Sequence, residues 1–301
     1  MHAHPLRFIC SALLASLTVP LALLAQPAPA PPAVDVSPKS ALPAALTAKP
    51  EPAAIPAVNQ ALVLRPPHPS QLVRHEKFNA IAKEGRAQLV FLGDSITHGW
   101  DSAGAKTWAR KYNDRSAANF GIGGDSTGHI LWRIENGNFD GIKPKLVVLM
   151  IGTNNTTANP KQSPTDIAAG IKTILEKLAA KTPNTKVLLL GIFPRGETAE
   201  DSSRKNNIAV NTLIEKFADG ARVFYKDVSP IFLDDRGKLS KEIAPDLLHL
   251  NPAGYQRWAE AIEGDIVELT RSSGQTILPP TNLSGPAPIP TVAPTLSPPK
   301  K

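Results

Sequence analysis

Four short segments of this chain hold the residue types that acyl transfer requires. The first is Gly93-Asp94-Ser95, which closes the apolar run Gln88–Leu92. The second is Gly121-Ile122-Gly123-Gly124, the third Gly152-Thr153-Asn154, and the fourth Asp246-Leu247-Leu248-His249. Attack on an ester carbonyl needs an alcohol nucleophile and a base within hydrogen-bond reach. It also needs a group that orients the base and donors aimed at the developing oxyanion. Ser95 supplies the alcohol and His249 the base. Asp246, three residues before His249, can reach the other ring nitrogen from the same short loop. The backbone N–H groups of Ser95 and Gly124 and the side-chain amide of Asn154 supply the donors. Each piece alone has a plain structural reading: a helix cap, a tight turn, a loop asparagine, a surface pair. Their collinear order at corresponding places in the fold turns four ordinary segments into one candidate site.

Those places follow from the pattern of the core. Apolar runs at Gln88–Leu92, Ala117–Phe120, Leu146–Ile151, Val187–Ile192 and Val223–Val228 alternate with segments of helical spacing. Leu146–Ile151 is apolar without alternation, as suits a strand buried on both faces of a parallel sheet. Ile167, Ile171, Ile174, Leu175 and Leu178 recur at intervals of three and four. So do Ile208, Val210, Leu213, Ile214 and Phe217, and the last helix carries Trp258, Ala261, Ile262, Ile266 and Leu269. Asn251 is placed to cap that last helix and Pro252 to open it, and a further helix is expected at about Gln71 to Lys83. Strand–helix alternation with right-handed crossovers predicts a three-layer α/β/α sandwich of about five parallel strands. In that architecture the first three motifs follow strand ends, and the fourth lies in the loop feeding the last helix. All four then meet at one edge of the sheet, where open α/β sheets bind ligands.

Composition bounds the rest. The chain has 301 residues and 30 prolines. Residues 26–64 hold nine of those prolines and residues 272–301 hold eight, in Ala-, Ser- and Thr-rich surroundings. Such stretches bury too little apolar surface to offset the entropy of ordering. The expected organisation is a signal peptide over 1–25, a Pro/Ala-rich linker over 26–64, the folded domain over 65–271 and a Pro/Ser/Thr-rich tail over 272–301. The signal reading rests on Arg7, the nearly uncharged run Phe8–Ala25, and small residues at Ala25 and Ala30. It implies export to the periplasm or the extracellular space, with a membrane association only if the signal stays uncleaved. The single cysteine, Cys10, falls inside it, which leaves no thiol nucleophile, disulfide or Cys-ligated metal in the mature protein.

Arg7, Lys300 and Lys301 account for three of the seven net positive charges, so the core carries +4 over about two hundred residues. That mild, interspersed charge speaks against nucleic-acid binding. His98 and His129 lie near the four motifs without any metal-ligand spacing. No Gly-x-Ser-x-Gly elbow occurs, and the glycine segment has neither a P-loop continuation nor the last glycine of a dinucleotide fingerprint. Asp94 is expected to cap nearby backbone N–H groups and hold the serine turn. Arg195 and Trp132 have two readings each, as pocket lining or as structure.

The four motifs resemble the blocks of the SGNH (GDSL-type) hydrolases. Asn119–Asp125, Ile130-Leu131-Trp132-Arg133, Gly152–Asn155, Leu190–Gly196 and Leu247–Leu250 make the resemblance greatest to the platelet-activating-factor acetylhydrolase-like branch. It spans roughly Leu89 to Ile266. It implies a flavodoxin-like fold and carboxylic ester hydrolysis without a cofactor. Its catalytic residues would be Ser95, Asp246 and His249, and its oxyanion hole Ser95, Gly124 and Asn154. The export signal and the two Pro-rich ends depart from an intracellular phospholipid acetylhydrolase, and exported relatives of this type resemble carbohydrate deacetylases. The expectation is thus an exported serine esterase acting on short-chain, acetyl-type esters, with a carbohydrate O-deacetylase as one form. A lysophospholipase- or thioesterase-type lipid hydrolase and a non-catalytic envelope binding protein on the same fold remain as alternatives. The sequence leaves the leaving alcohol and the oligomeric state open.

Overall fold

The computed structural model describes residues 58–271. The expected signal peptide (1–25), most of the expected linker (26–64) and the expected tail (272–301) lie outside these residues. Helix α1 (Leu72–Glu84) precedes strand β1 (Leu89–Gly93), and the short helices α2 (Ser95–His98) and α3 (Ala105–Lys111) lead to β2 (Ala117–Gly121). Then come α4 (Thr127–Glu135), β3 (Leu146–Met150), α5 (Pro164–Lys181) and β4 (Lys186–Leu190). The chain closes with α6 (Ser202–Ile214), β5 (Val223–Lys226) and α7 (Pro252–Thr270).

The five strands form one sheet in the order β2-β1-β3-β4-β5. Every neighbouring pair is parallel, with Leu89 facing Ala117 on one side and Leu146 on the other. Two apolar layers sandwich it. Val90, Leu92, Val147, Leu149, Val187 and Leu189 pack on one face with α4, α5 and α6. Leu89, Phe91, Val148, Met150, Leu188 and Leu190 pack on the other with α7 and the aromatic cluster of Trp100, Tyr112 and Trp258. Strands β1 and β3 are buried along their whole length, the physical reason their sequences show no alternation. Full burial of each large apolar side chain stabilises the fold by about 1.5–3 kcal/mol relative to exposure.

The expected helices match closely in register. Asn251 caps α7 by accepting from the Gly254 N–H at 3.0 Å, with Pro252 at the first position. Three differences stand out. Helix α6 begins earlier than the apolar spacing indicates, because Asp201 caps it by accepting from the Ser203 and Arg204 N–H groups. Its inner row is Asn207, Val210, Asn211 and Ile214, while Ile208 is exposed. Helix α4 escaped the periodicity reading because its inner row includes Thr127, Gly128 and the buried Arg133. The linker, expected to run to residue 64, ends earlier: Ala61 is fully buried against α4 and α5.

Strand order explains where chemistry can sit. The chain leaves β1 for β2 on one side, then crosses to β3 on the other. The switch point between β1 and β3 opens a crevice at the carboxyl ends of the strands. Ser95, Gly121–Gly124 and Gly152–Asn154 all follow strand ends there.

Candidate active site

The serine turn is built by its neighbours. Strand β1 ends at Gly93, where a Cβ would lie 2.2 Å from Thr97 Oγ1 and 2.4 Å from the Met150 carbonyl, so only glycine lets β1 pass so close to β3. Asp94 follows, fully buried. Its carboxylate caps α2 by accepting from the Ile96 N–H at 2.9 Å, the role expected from sequence. Tyr255 of α7 pins the same turn by donating its hydroxyl to the Ile96 carbonyl at 2.6 Å. Ser95 is thus the first residue of a helix whose start is fixed from two directions. Its backbone N–H has no acceptor among the described residues.

His249 Nε2 lies 2.8 Å from Ser95 Oγ, and His249 Nδ1 lies 2.6 Å from Asp246 Oδ2. A carboxylate oxygen only accepts, so the proton on Nδ1 points at Asp246 and Nε2 presents its lone pair to the Ser95 hydroxyl. Oδ1 of Asp246 accepts from the backbone N–H groups of Leu248 and His249 at 3.0 and 2.7 Å. This tight turn forces Leu247 to a φ of 60°, a left-handed conformation costing a branched residue on the order of 1–2 kcal/mol. The Leu247 carbonyl accepts from the Gly196 N–H at 2.9 Å, tying the loop to the segment after β4. Burial acts to raise the Asp246 pKa, but the hydrogen bonds from His249 and from the Leu248 N–H outweigh it and hold the carboxyl below its ordinary value.

Gly124 and Asn154, the other expected oxyanion donors, border one cavity. Gly124 adopts a φ of +84° with open space where a side chain would be, so backbone conformation demands the glycine there. Its N–H has no acceptor among the described residues. His98 steadies the loop, its Nδ1 accepting from the Gly123 N–H at 3.3 Å. Asn154 donates one amide hydrogen to the Asp125 carbonyl at 2.8 Å, which orients the side chain and leaves the second hydrogen free. Of the five residues singled out in the sequence, Ser95, His249 and Asp246 form one hydrogen-bonded line, and Gly124 and Asn154 border one cavity.

Sequence reasoning missed the ion pair beneath the crevice. Arg133 of α4 is fully buried and lies 2.8 Å from Asp125 Oδ2. It donates to Asn138 Oδ1 at 2.9 Å and to the Gly93 carbonyl at 3.4 Å. One guanidinium thereby joins the end of β1 to the loop that carries Gly124 and holds Asn154. Burial pushes Asp125 up to about 6 against the opposite pull of Arg133. A charged residue inside the apolar row Ile130, Leu131, Ile134 was the available signal. Burial pushes Asp94 up to about 7, opposed by the Ile96 hydrogen bond and reinforced by Asp125. Arg195 donates to the Thr153 carbonyl and hydroxyl at 3.2 and 3.1 Å, bracing the segment that carries Asn154. Trp132 packs on His75, with ring centroids 5.0 Å apart. Among the described residues no three His, Cys, Asp or Glu side chains are grouped to hold a metal.

Comparison with known proteins agrees with this geometry. The model of the GDSL-like Lipase/Acylhydrolase family matches residues 91–257. The chain is 35% identical over 203 residues to the platelet-activating factor acetylhydrolase IB subunit alpha1 of Bos taurus, covering 67% of this chain and 84% of that protein. It is 32% identical over 197 residues to the alpha2 subunit of Rattus norvegicus, covering 65% and 83%. A GDSL-like lipase from Bacteroides thetaiotaomicron shares the fold with a TM-score of 0.51 at 22% identity, covering 65% of this chain and 97% of its own. With its parallel sheet and collinear motifs, the chain belongs to the GDSL-like lipase/acylhydrolase family, in the platelet-activating-factor acetylhydrolase-like branch, and is a carboxylic ester hydrolase.

Proposed function

We propose that this protein is an exported serine esterase that removes short acyl groups, acetyl above all, from a hydroxyl-bearing substrate such as a carbohydrate. The observation that carries the reading is the hydrogen-bonded line Asp246–His249–Ser95, at 2.6 and 2.8 Å. His249 takes the proton of Ser95 as Oγ attacks the ester carbonyl. Negative charge gathers on the carbonyl oxygen, where the N–H groups of Ser95 and Gly124 and the free amide hydrogen of Asn154 receive it. The protonated His249, stabilised by Asp246, gives its proton to the departing alcohol. His249 then activates a water, which attacks the acyl-enzyme and releases the acid with Ser95 restored.

The short acyl preference draws on two supports. The curated relatives are acetylhydrolases by name. The cavity bordered by Gly124 and Asn154 has a volume of about 210 Å³ and otherwise mostly polar walls, which suits small and polar groups better than a long chain. Export is supported by the uncharged run Phe8–Ala25 and the small residues after it.

A fluorophosphonate probe with 4-nitrophenyl esters of increasing acyl length tests the reading. The parent should label covalently and hydrolyse the acetate fastest, and Ser95→Ala should do neither. Equal hydrolysis by Ser95→Ala overturns the nucleophile, and a maximum at long chains overturns the acetyl preference. The N-terminal residue of the protein recovered outside the cytoplasm tests export; recovery only inside the cytoplasm overturns it.

A further inference from the structure

The segment after β4 is gripped by polar side chains of α6. Arg204, Asn207 and Asn211 recur at intervals of three and four on the inner face of that helix, and all three are buried. Asn211 brackets Ile192, accepting from its N–H at 2.7 Å and donating to its carbonyl at 3.0 Å. Asn207 donates to the Phe193 carbonyl at 3.1 Å, and Arg204 donates to the Glu197 carbonyl at 3.1 Å. One helix thus holds residues 192–197 at both ends.

Inside this held segment, two adjacent residues reach the two loops of the candidate site. The half-buried Arg195 donates from Nη1 to the Thr153 carbonyl at 3.2 Å and to Thr153 Oγ1 at 3.1 Å. The Gly196 N–H donates to the Leu247 carbonyl at 2.9 Å. Thr153 is fully buried and directly precedes Asn154, and Leu247 lies between Asp246 and His249. The Asn154 side chain is fixed at its other end by the Asp125 carbonyl, which accepts from its amide at 2.8 Å. Such bracing bears on rate, because a donor misplaced by about 1 Å costs on the order of 10²-fold.

We propose that Arg195 is a positioning residue of the hydrolysis. It holds Thr153, and through it the Asn154 amide, in the frame that the Gly196 N–H shares with the loop of Asp246 and His249. The inference rests on the esterase reading, in which Asn154 stabilises the oxyanion. Arg195 then acts through Asn154 and not on the substrate. The polar inner row of α6 gains a task as well, since its three side chains fix the segment that joins the oxyanion donor to the base.

A double-mutant cycle of Arg195→Ala and Asn154→Ala tests it, with kcat and KM measured on 4-nitrophenyl acetate. In the parent background Arg195→Ala should lower kcat roughly tenfold to a hundredfold, with KM changed less than about twofold. In the Asn154→Ala background the same substitution should lower kcat less than about threefold, because the group it positions is gone. Arg195→Lys, which keeps a charged donor, should recover part of the lost kcat. Thr153→Val removes the hydroxyl acceptor and keeps the carbonyl. It should show the same pattern at smaller size, and it carries the cycle if Arg195→Ala does not fold. A merely structural loss would repeat in both backgrounds, and a substrate contact would raise KM with kcat unchanged. Either result, or a parent-like kcat in Arg195→Ala, overturns the inference and leaves the esterase reading standing while Asn154→Ala is itself impaired. Parent-like turnover by Asn154→Ala overturns the oxyanion role on which the inference rests, and parent-like turnover by Ser95→Ala overturns the nucleophile.

Discussion

Two carboxylates of the candidate site, Asp94 and Asp246, live under opposite physics. Asp94 is fully buried just past the end of β1, accepting from the Ile96 N–H, and its second oxygen lacks a hydrogen-bond partner among the described residues. Desolvation dominates there and lifts its pKa to about 7. Asp246 is more than half exposed on a loop, yet it collects two backbone N–H groups and the His249 ring, and its pKa falls. A carboxylate that must stabilise an imidazolium has to stay ionised, and hydrogen bonds keep Asp246 so despite the burial around it. Asp94 only has to hold a turn, a task that either protonation state performs. The sheet end supplies rigidity and the loop supplies charge.

Ser95→Ala breaks the comparison at its centre. Turnover should fall on the order of 10⁴-fold or more, with the melting temperature nearly unchanged, as steady-state rates and calorimetry on the same sample would show. Asp246→Asn tests the charged side. It removes the anion that stabilises protonated His249 and should lower kcat on the order of 10³–10⁴-fold. A loss below tenfold would mean that the exposed carboxylate only shapes the loop. Asn154→Ala leaves both carboxylates intact and removes one oxyanion donor, for a loss on the order of 10²–10³ in kcat. Asp94→Asn gives the smallest effect and the most direct contrast. The folded pKa of Asp94 lies above its unfolded value, so the native state binds the extra proton between about pH 4 and 7. The parent's stability therefore declines as pH rises through that window, where the charge must be buried. The melting temperature of Asp94→Asn relative to the parent should rise from pH 5 to pH 8. A pH-independent difference would show that Asp94 keeps an ordinary pKa.

The candidate site was largely legible in the sequence because its pieces are local. Gly93-Asp94-Ser95 ends an apolar run, Asp246 and His249 share one turn, and each motif's place on a strand end follows from the alternation of runs. What escaped were groups whose role depends on distant partners. Arg133 reads as an ordinary helix cation until Asp125, Asn138 and the Gly93 carbonyl surround it. Ala61 lies in a segment whose composition signals disorder, and its burial comes from Thr127 and Gly170, over sixty residues away. Asn207 and Asn211 carry no apolar signal, yet their amides bond the Phe193 and Ile192 carbonyls and so form part of the inner row of α6.

By itself the sequence determined the parallel five-stranded sheet and the candidate nucleophile, base, orienter and oxyanion donors. These follow from hydrophobic period and from residue types at fixed spacing, information carried within short windows. Only the tertiary structure decided how Asp94 and Asp246 differ, which guanidinium joins the serine turn to the glycine loop, and which side chains wall the cavity beside Gly124. Desolvation and ion pairing depend on what surrounds a group in space, and chain neighbours supply only a small part of those surroundings.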